Sequence, residues 1–203
     1  MTQLRRFAPE DLPSLYDVCV RTADAGGDAR HIYPDQDLMP TIFLAPYVAL
    51  DPSLAFVVDD GSRAVGYVIG TADTAEFVRR CRQEWLPTVA DRYPAPAALS
   101  TPSDQMLSLM HNPERMIVPA LAAYPAHLHI DLLPEYQRKG LGRELMAAFL
   151  AALAERGVPA VHLGMVTANV AARAFYDRLG FHVIDVPDAG VLTYLGRSTD
   201  PGC

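Results

Sequence analysis

The chain has 203 residues, half of them apolar, enough to bury one sizeable core. Its formal net charge is -7, which speaks against a general nucleic-acid binder with its basic face. The N-terminus reads MTQLRRFAPEDLP and lacks a signal peptide's apolar stretch, no run reaches the roughly 18 apolar residues of a membrane span, and Cys19, Cys81 and Cys203 are too few and scattered for a disulfide framework. A single domain over residues 1–203 in a reducing, cytoplasmic setting is expected, with neither a nucleic-acid nor a membrane partner.

Residues 4–7 read as a short strand. Pro9, Glu10 and Asp11 then suit the first turn of a helix. Leu12, Leu15, Tyr16, Cys19 and Val20 share one face of it. TADAGGDARHIYPDQD is a polar, glycine-containing loop, followed by a second helix over residues 38–47. Two apolar runs, 54–58 and 64–69, flank DDGSR and read as a hairpin. Residues 74–93 carry helical spacing through Phe77, Val78, Cys81 and Trp85, although Pro87 should break that helix. PAPAALSTPSD is a connector, with short helical turns before Pro125.

The second half alternates more plainly. Residues 126–133 read as a strand and 141–155 as an amphipathic helix. A strand over 160–166 and a helix over 168–179 follow, the latter stopped by Gly180. Runs 181–186 and 191–195 are strands joined by PDAG. Strands alternating with helices, plus two hairpins, give an α/β fold with a mixed sheet covered on both faces.

The segment HIDLLPEYQRKGLGRELMAAFL carries the most chemistry. A strand ends at Leu133, Pro134 breaks it, and Gln137, Arg138, Lys139, Gly140, Leu141 and Gly142 lead straight into a helix. Free N–H groups at a helix N-terminus, with the helix dipole behind them, bind phosphate. Gly140 and Gly142 leave room for the main chain to approach a pyrophosphate. Arg138, Lys139 and Arg143 add positive charge to an acidic chain. The alternative is a plain strand-to-helix turn with solvated basic residues. Neither G-x-G-x-x-G nor G-K-[ST] is present, so the dinucleotide fingerprint and the P-loop do not apply.

The order V/L-x-P, strand end, Q-x-x-G-x-G, helix resembles the coenzyme A motif of the GCN5-related N-acetyltransferases. About 25 residues on, Asn169 to Phe181 resembles that family's second signature, N-x-x-A-x-x-F-Y-x-x-x-G-F. A wider resemblance runs through TADAGGD, PDQDL, APY, GYVIGTADT, EWLP and LGRS. It is to the acetyltransferase-like C-terminal domain of O-GlcNAcase and its bacterial relatives. The resemblance implies a mostly antiparallel central sheet with helices on both faces, a splayed strand pair that holds coenzyme A, and acetyl-coenzyme A as co-substrate. It also implies an amine-bearing small molecule or protein as acceptor. The alternative it leaves open is a non-catalytic binding module.

The family's chemistry assigns further residues. Tyr176 would face the sulfur and protonate the departing thiolate, and Asn169 would cap its helix and reach the pantetheine arm. A strand-end N–H near Leu132 or Leu133 would hold the oxyanion. His127, His129 and Asp131 alternate, so an unbroken strand puts them on one face. Any of the three could be the base, directly or through water, with Asp131 and His129 taken as the catalytic pair, and a metal is another reading of His-x-His-x-Asp. Some relatives carry a glutamate five residues before the Asn169 position, where this chain has Gly164. Asp24, Asp28 and Tyr33 lie in the loop where the family shapes its acceptor site. Trp85 reads as core or cleft wall, and Cys19 and Cys81 as inert core thiols.

Overall fold

A computed structural model describes residues 2–200; Cys203 lies outside the described residues. Seven strands form one sheet in the order β1-β2-β3-β4-β5-β7-β6. They are β1 Gln3–Arg6, β2 Phe56–Asp59, β3 Ala64–Thr71, β4 Ala126–Leu132, β5 Ala160–Val166, β6 His182–Ile184 and β7 Leu192–Ser198. Every neighbouring pair is antiparallel except β4 and β5. Those two need a crossover, and α7 (Leu141–Glu155) supplies it.

Both faces of the sheet are covered. On one, α1 (Leu12–Val20) packs against β3 and β4. Beside it come α2 (Leu38–Phe43), α3 (Ala45–Leu50) and α4 (Thr74–Arg80). On the other, α7 buries Leu145, Met146, Phe149 and Leu153 against β1 to β4. Gly70 lets α7 come close: a Cβ there would lie 2.5 Å from the Phe149 ring. Phe149 is fully buried, so removing its ring would cost about 3–5 kcal/mol. Among the described residues no helix is long and apolar enough to cross a membrane.

Two helices depart from the expected form. The single helix over 38–47 breaks at Leu44, whose φ of -129° is not helical. Pro46, in the first turn of α3, has no N–H to continue a ladder from α2. Pro87 does not end its helix. After α4 the chain makes a π turn over Cys81–Trp85 and continues as α5 (Leu86–Val89). The wider turn relieves the clash a proline ring makes with the carbonyl four residues back. The connector then leads into α6 (Pro102–Met110), capped by the Thr101 side chain at the Asp104 N–H.

Candidate acetyl-transfer site

The parallel pairing of β4 with β5 covers only Ala126 with Val161 and His127 with His162. Beyond it β4 stays paired with β3, and β5 with β7. The strands have parted, and a slot opens between them. Leu133 N–H donates to the Val65 carbonyl at 3.0 Å, toward β3. Successive amides along a strand point to opposite edges, so the Leu132 N–H points into the slot. Of the two backbone donors expected at this strand end, Leu133 is therefore occupied and Leu132 is the one that faces the opening. Gln137 Nε2 closes the Leu132 carbonyl at 2.9 Å, so this side chain shapes the strand end.

The glycine loop follows. Arg138 has φ +59° and Gly140 has φ +87°, two left-handed residues in three. Such turns point amides outward into an anion-binding concavity. Arg143 and Glu144 N–H both turn back to the Gly140 carbonyl, which leaves the Leu141 and Gly142 amides at the exposed end of α7. Arg138, Lys139 and Arg143 are exposed and, among the described residues, enter no ion pair; Lys139 Nζ lies 5.3 Å from the Tyr136 ring centroid. In a chain with seven more acids than bases, three cations left unpaired at a helix N-terminus fit a phosphate-rich ligand. Gly142 has a second use. A Cβ there would lie 3.2 Å from the Phe175 ring, so this glycine also lets α8 (Val170–Arg178) dock against the start of α7.

Asn169 caps α8, its Oδ1 accepting from the Ala172 N–H at 3.0 Å. Its Nδ2 donates to the Ala25 carbonyl at 2.8 Å. The 22–33 loop is thereby tied to the helix that carries Tyr176. Tyr176 packs between Phe175 and Phe181. Burial and then the charge of Asp131 push its hydroxyl well up, so it holds its proton at neutral pH. Among the described residues that hydroxyl has no hydrogen-bond partner, yet it is not sealed from solvent.

His127, His129 and Asp131 do share one face, opposite Thr71, Ile69 and Tyr67 of β3. His127 is fully engaged, with Nε2 2.7 Å from the Tyr47 hydroxyl and Nδ1 2.8 Å from Thr74 Oγ1. His129 Nε2 lies 3.1 Å from the same Tyr47 hydroxyl. Burial, then the Arg115 charge, bring His129 down to about 4. Burial lowers His127 and His162 as well. Asp131 accepts a hydrogen bond from the Tyr67 hydroxyl at 2.7 Å; burial raises its carboxyl and that bond offsets part of the rise. Among the described residues no three such groups converge on a metal position.

The loop residues divide. Arg30 holds the Asp28 carboxylate through a bidentate pair and keeps it down at about 2, so its charge is already answered. Tyr33 is buried in the core. Asp24 remains exposed, its backbone paired with Gly27. Trp85 lines an apolar cavity of about 240 Å³ with Phe7, Leu12, Tyr16 and Val48, on the α1–α3 side. Burial pushes both the Cys19 and Cys81 thiols up, the latter to about 12, so both stay protonated at neutral pH.

Sequence reading missed Tyr47, Tyr67, Thr74, Arg115 and Tyr194. Tyr194 of β7 stands across from Gly164 of β5, and a Cβ at Gly164 would lie 3.2 Å from its ring. A tyrosine from the next strand thus covers Gly164. The alternation of VLTYLG hinted at its face, but not at its partner.

The buried imidazoles carry a stability prediction. The unfolded chain binds a proton at each of them near pH 6.5, and the folded chain only at lower pH. Their support is complete above about pH 6.5 and is withdrawn as pH falls toward about 4. Each imidazole should withdraw up to about 2 kcal/mol at pH 5. Urea melts at pH 7 and pH 5 measure this, and an unchanged midpoint would mean the histidines are not held neutral.

Comparison with known proteins agrees with this geometry. Residues 106–181 match the acetyltransferase (GNAT) family. The solved structure of SsHAT is 59% identical, superposes with a TM-score of 0.95 and is matched over 98% of both chains. Protein O-GlcNAcase of Rattus norvegicus is 24% identical over 180 residues, 87% of this chain. The chain spans only 20% of that relative's length. The [ribosomal protein bS18]-alanine N-acetyltransferase of Escherichia coli K12 is 45% identical over 54 residues, 27% of this chain and 36% of that protein. The chain belongs to the GNAT family of N-acetyltransferases, whose acetyl donor is acetyl-coenzyme A.

Proposed function

We propose that this chain, acting as one domain over residues 1–203, transfers acetyl from acetyl-coenzyme A directly to an amine in a ternary complex. The parting of β4 and β5 beside the glycine loop carries this reading. The loop amides, with Arg138, Lys139 and Arg143, hold the pyrophosphate, and Asn169 guides the pantetheine arm. Leu132 N–H donates to the developing oxyanion. An alkyl ammonium has a pKa of about 10.4 and must lose a proton before it attacks. Asp131 takes it: it shares one face of β4 with His129 and directly precedes Leu132, whose N–H faces the slot. His127 has no free nitrogen for the task, and His129 stands further along β4. The amine nitrogen bonds to the acetyl carbon, the carbon–sulfur bond breaks, Tyr176 gives its proton to the thiolate, and the second proton lost by the nitrogen as it becomes an amide returns the tyrosinate to phenol. The 22–33 loop, with Asp24 as its free acid, borders the acceptor. We place the activity in the cytoplasm, where buried free thiols such as Cys19 and Cys81 stay reduced.

Calorimetry with acetyl-coenzyme A tests the donor site. Arg138→Glu with Arg143→Glu should weaken binding by roughly 10-fold or more, since two exposed attractions become repulsions. Their exposure means the melting temperature should hold. Gly142→Glu is less clean, because it also displaces Phe175, and any Cβ at Gly140 is strained by its φ. Unchanged affinity in the double variant would move the phosphates elsewhere. The likeness to O-GlcNAcase supports a second reading, a binding module without catalysis. That reading predicts no acetylated product from any amine, even with coenzyme bound.

A further inference from the structure

Thr74, His127 and Tyr47 are buried and His129 is half-buried, and their polar atoms form one chain of hydrogen bonds. The Thr74 hydroxyl, at the start of α4, touches two partners: the Pro125 carbonyl at 2.8 Å and His127 Nδ1 at 2.8 Å. A carbonyl can only accept, so the hydroxyl hydrogen goes to Pro125 and the Thr74 oxygen receives the His127 Nδ1–H. Burial keeps His127 neutral at pH 7, so its Nε2 then carries a lone pair. The Tyr47 hydroxyl, 2.7 Å away, donates its single hydrogen to that nitrogen. The Tyr47 oxygen therefore offers only a lone pair to His129 Nε2 at 3.1 Å, and this nitrogen must hold a hydrogen and donate. His129 is neutral above about pH 4 and has one ring hydrogen to place. That hydrogen is on Nε2, and Nδ1 is bare.

The rings are held as firmly as the hydrogens. Tyr47 stacks on Phe77 with ring centroids 4.3 Å apart. The His129 ring meets Phe43 of α2 at 5.9 Å and Tyr47 of α3 at 5.1 Å, both edge-on. Among the described residues His129 Nδ1 has no hydrogen-bond partner, yet it is not sealed from solvent. His129 also stands one same-face step from Asp131, about 6–7 Å along an extended strand. Two hydrogen bonds of about 2.9 Å that meet at one nitrogen nearly cover that span.

We propose that Thr74, His127 and Tyr47 fix the tautomer of His129 so that its Nδ1 lone pair receives an N–H of the acceptor amine beside Asp131. The amine then has two different contacts. Asp131 takes its proton, and His129, too weak a base to compete, accepts a hydrogen bond and fixes the orientation of the nitrogen. Thr74, His127 and Tyr47 are positioning residues that act through His129. The inference rests on the acetyl-transfer reading above, and it adds the second group that holds the amine.

Two-bond proton–nitrogen correlation spectra of the nitrogen-15-labelled chain at pH 7 read the tautomers directly, because protonated and bare ring nitrogens differ widely in shift. His129→Phe assigns the signals of that ring. Wild type should show His127 protonated on Nδ1 and His129 on Nε2. A His129 proton on Nδ1, or exchange between the two tautomers, overturns the proposal, and this readout needs no substrate. Thr74→Val should free the chain to invert and put the His129 proton on Nδ1, whereas Thr74→Ser, which keeps the hydroxyl, should match wild type. Tyr47→Phe keeps the stacked ring and should leave His129 in both tautomers. The kinetic test uses butylamine, spermidine and a lysine peptide as acceptors. Tyr47→Phe and His129→Phe should each raise the KM of the accepted amine by roughly 10-fold, with that of acetyl-coenzyme A held. The double variant should be no worse than His129→Phe alone, since Tyr47 acts through that ring. An unchanged amine KM in His129→Phe, or losses that add in the double variant, overturns the amine contact. If none of these amines is acetylated, the catalytic reading fails and takes the amine contact with it, while the spectra still decide the tautomer of His129.

Discussion

Tyr176→Phe should keep the fold and the affinity for acetyl-coenzyme A while lowering kcat by about 10²-fold. The ring stays between Phe175 and Phe181, so packing is conserved. Only the hydroxyl is lost, and it has no hydrogen-bond partner among the described residues. A hydroxyl kept for stability alone would be worth about 1 kcal/mol. A positioned acid is commonly worth 10²–10⁴-fold, and the loss expected here corresponds to roughly 3 kcal/mol in the barrier. The low end applies because a thiolate with pKa near 8.5 is already a fair leaving group. Burial and the Asp131 charge hold the proton on Tyr176 until the sulfur becomes negative. Stopped-flow and steady-state rates with any accepted amine decide it. A variant with full kcat would make Tyr176 a packing residue.

Much of this site is local in sequence, and that part was legible. Gln137 to Gly142 spell strand end, turn and helix start in consecutive residues, and their chemistry does not depend on distant partners. The same holds for Asn169 as the cap of α8, whereas the part given to Tyr176 two turns later came from the family resemblance. The alternation of His127, His129 and Asp131 placed them on one face because a strand has a period of two. What the sequence withholds is register. Tyr67 meets Asp131 because β3 pairs with β4 in one particular alignment, 64 positions apart. Tyr47 reaches His127 from a helix 80 positions earlier. Arg115 sits in a short irregular turn without periodicity, so no pattern exposed it. Pro87 misled for another reason: a π turn costs little to detect in space and leaves no mark in composition.

Asp131→Asn should lower kcat by roughly 10²–10⁴-fold, the range for losing a positioned base. The amide keeps the size of the side chain and can still accept from the Tyr67 hydroxyl. It cannot take a proton from an ammonium. The stability effect should run the other way from that of the histidines. Folding raises the Asp131 carboxyl, so the unfolded chain gives up this proton at lower pH than the folded chain does. Ionised Asp131 therefore weakens the fold above the usual carboxylate pKa of about 3.9, and a neutral side chain removes that cost. The variant should be as stable as wild type at pH 7, or more so, while nearly inactive. A merely structural aspartate would give the reverse, with lower stability and preserved rate. The pH profile adds a second readout. In wild type kcat/KM should rise with pH through the displaced carboxyl, and this limb should vanish in Asp131→Asn, leaving only the slope set by the free fraction of the acceptor amine. His129→Gln is the companion variant, because it removes the neighbouring imidazole from the same strand face. If His129→Gln loses the rate and Asp131→Asn keeps it, the proton goes to the imidazole and Asp131 only orients Tyr67.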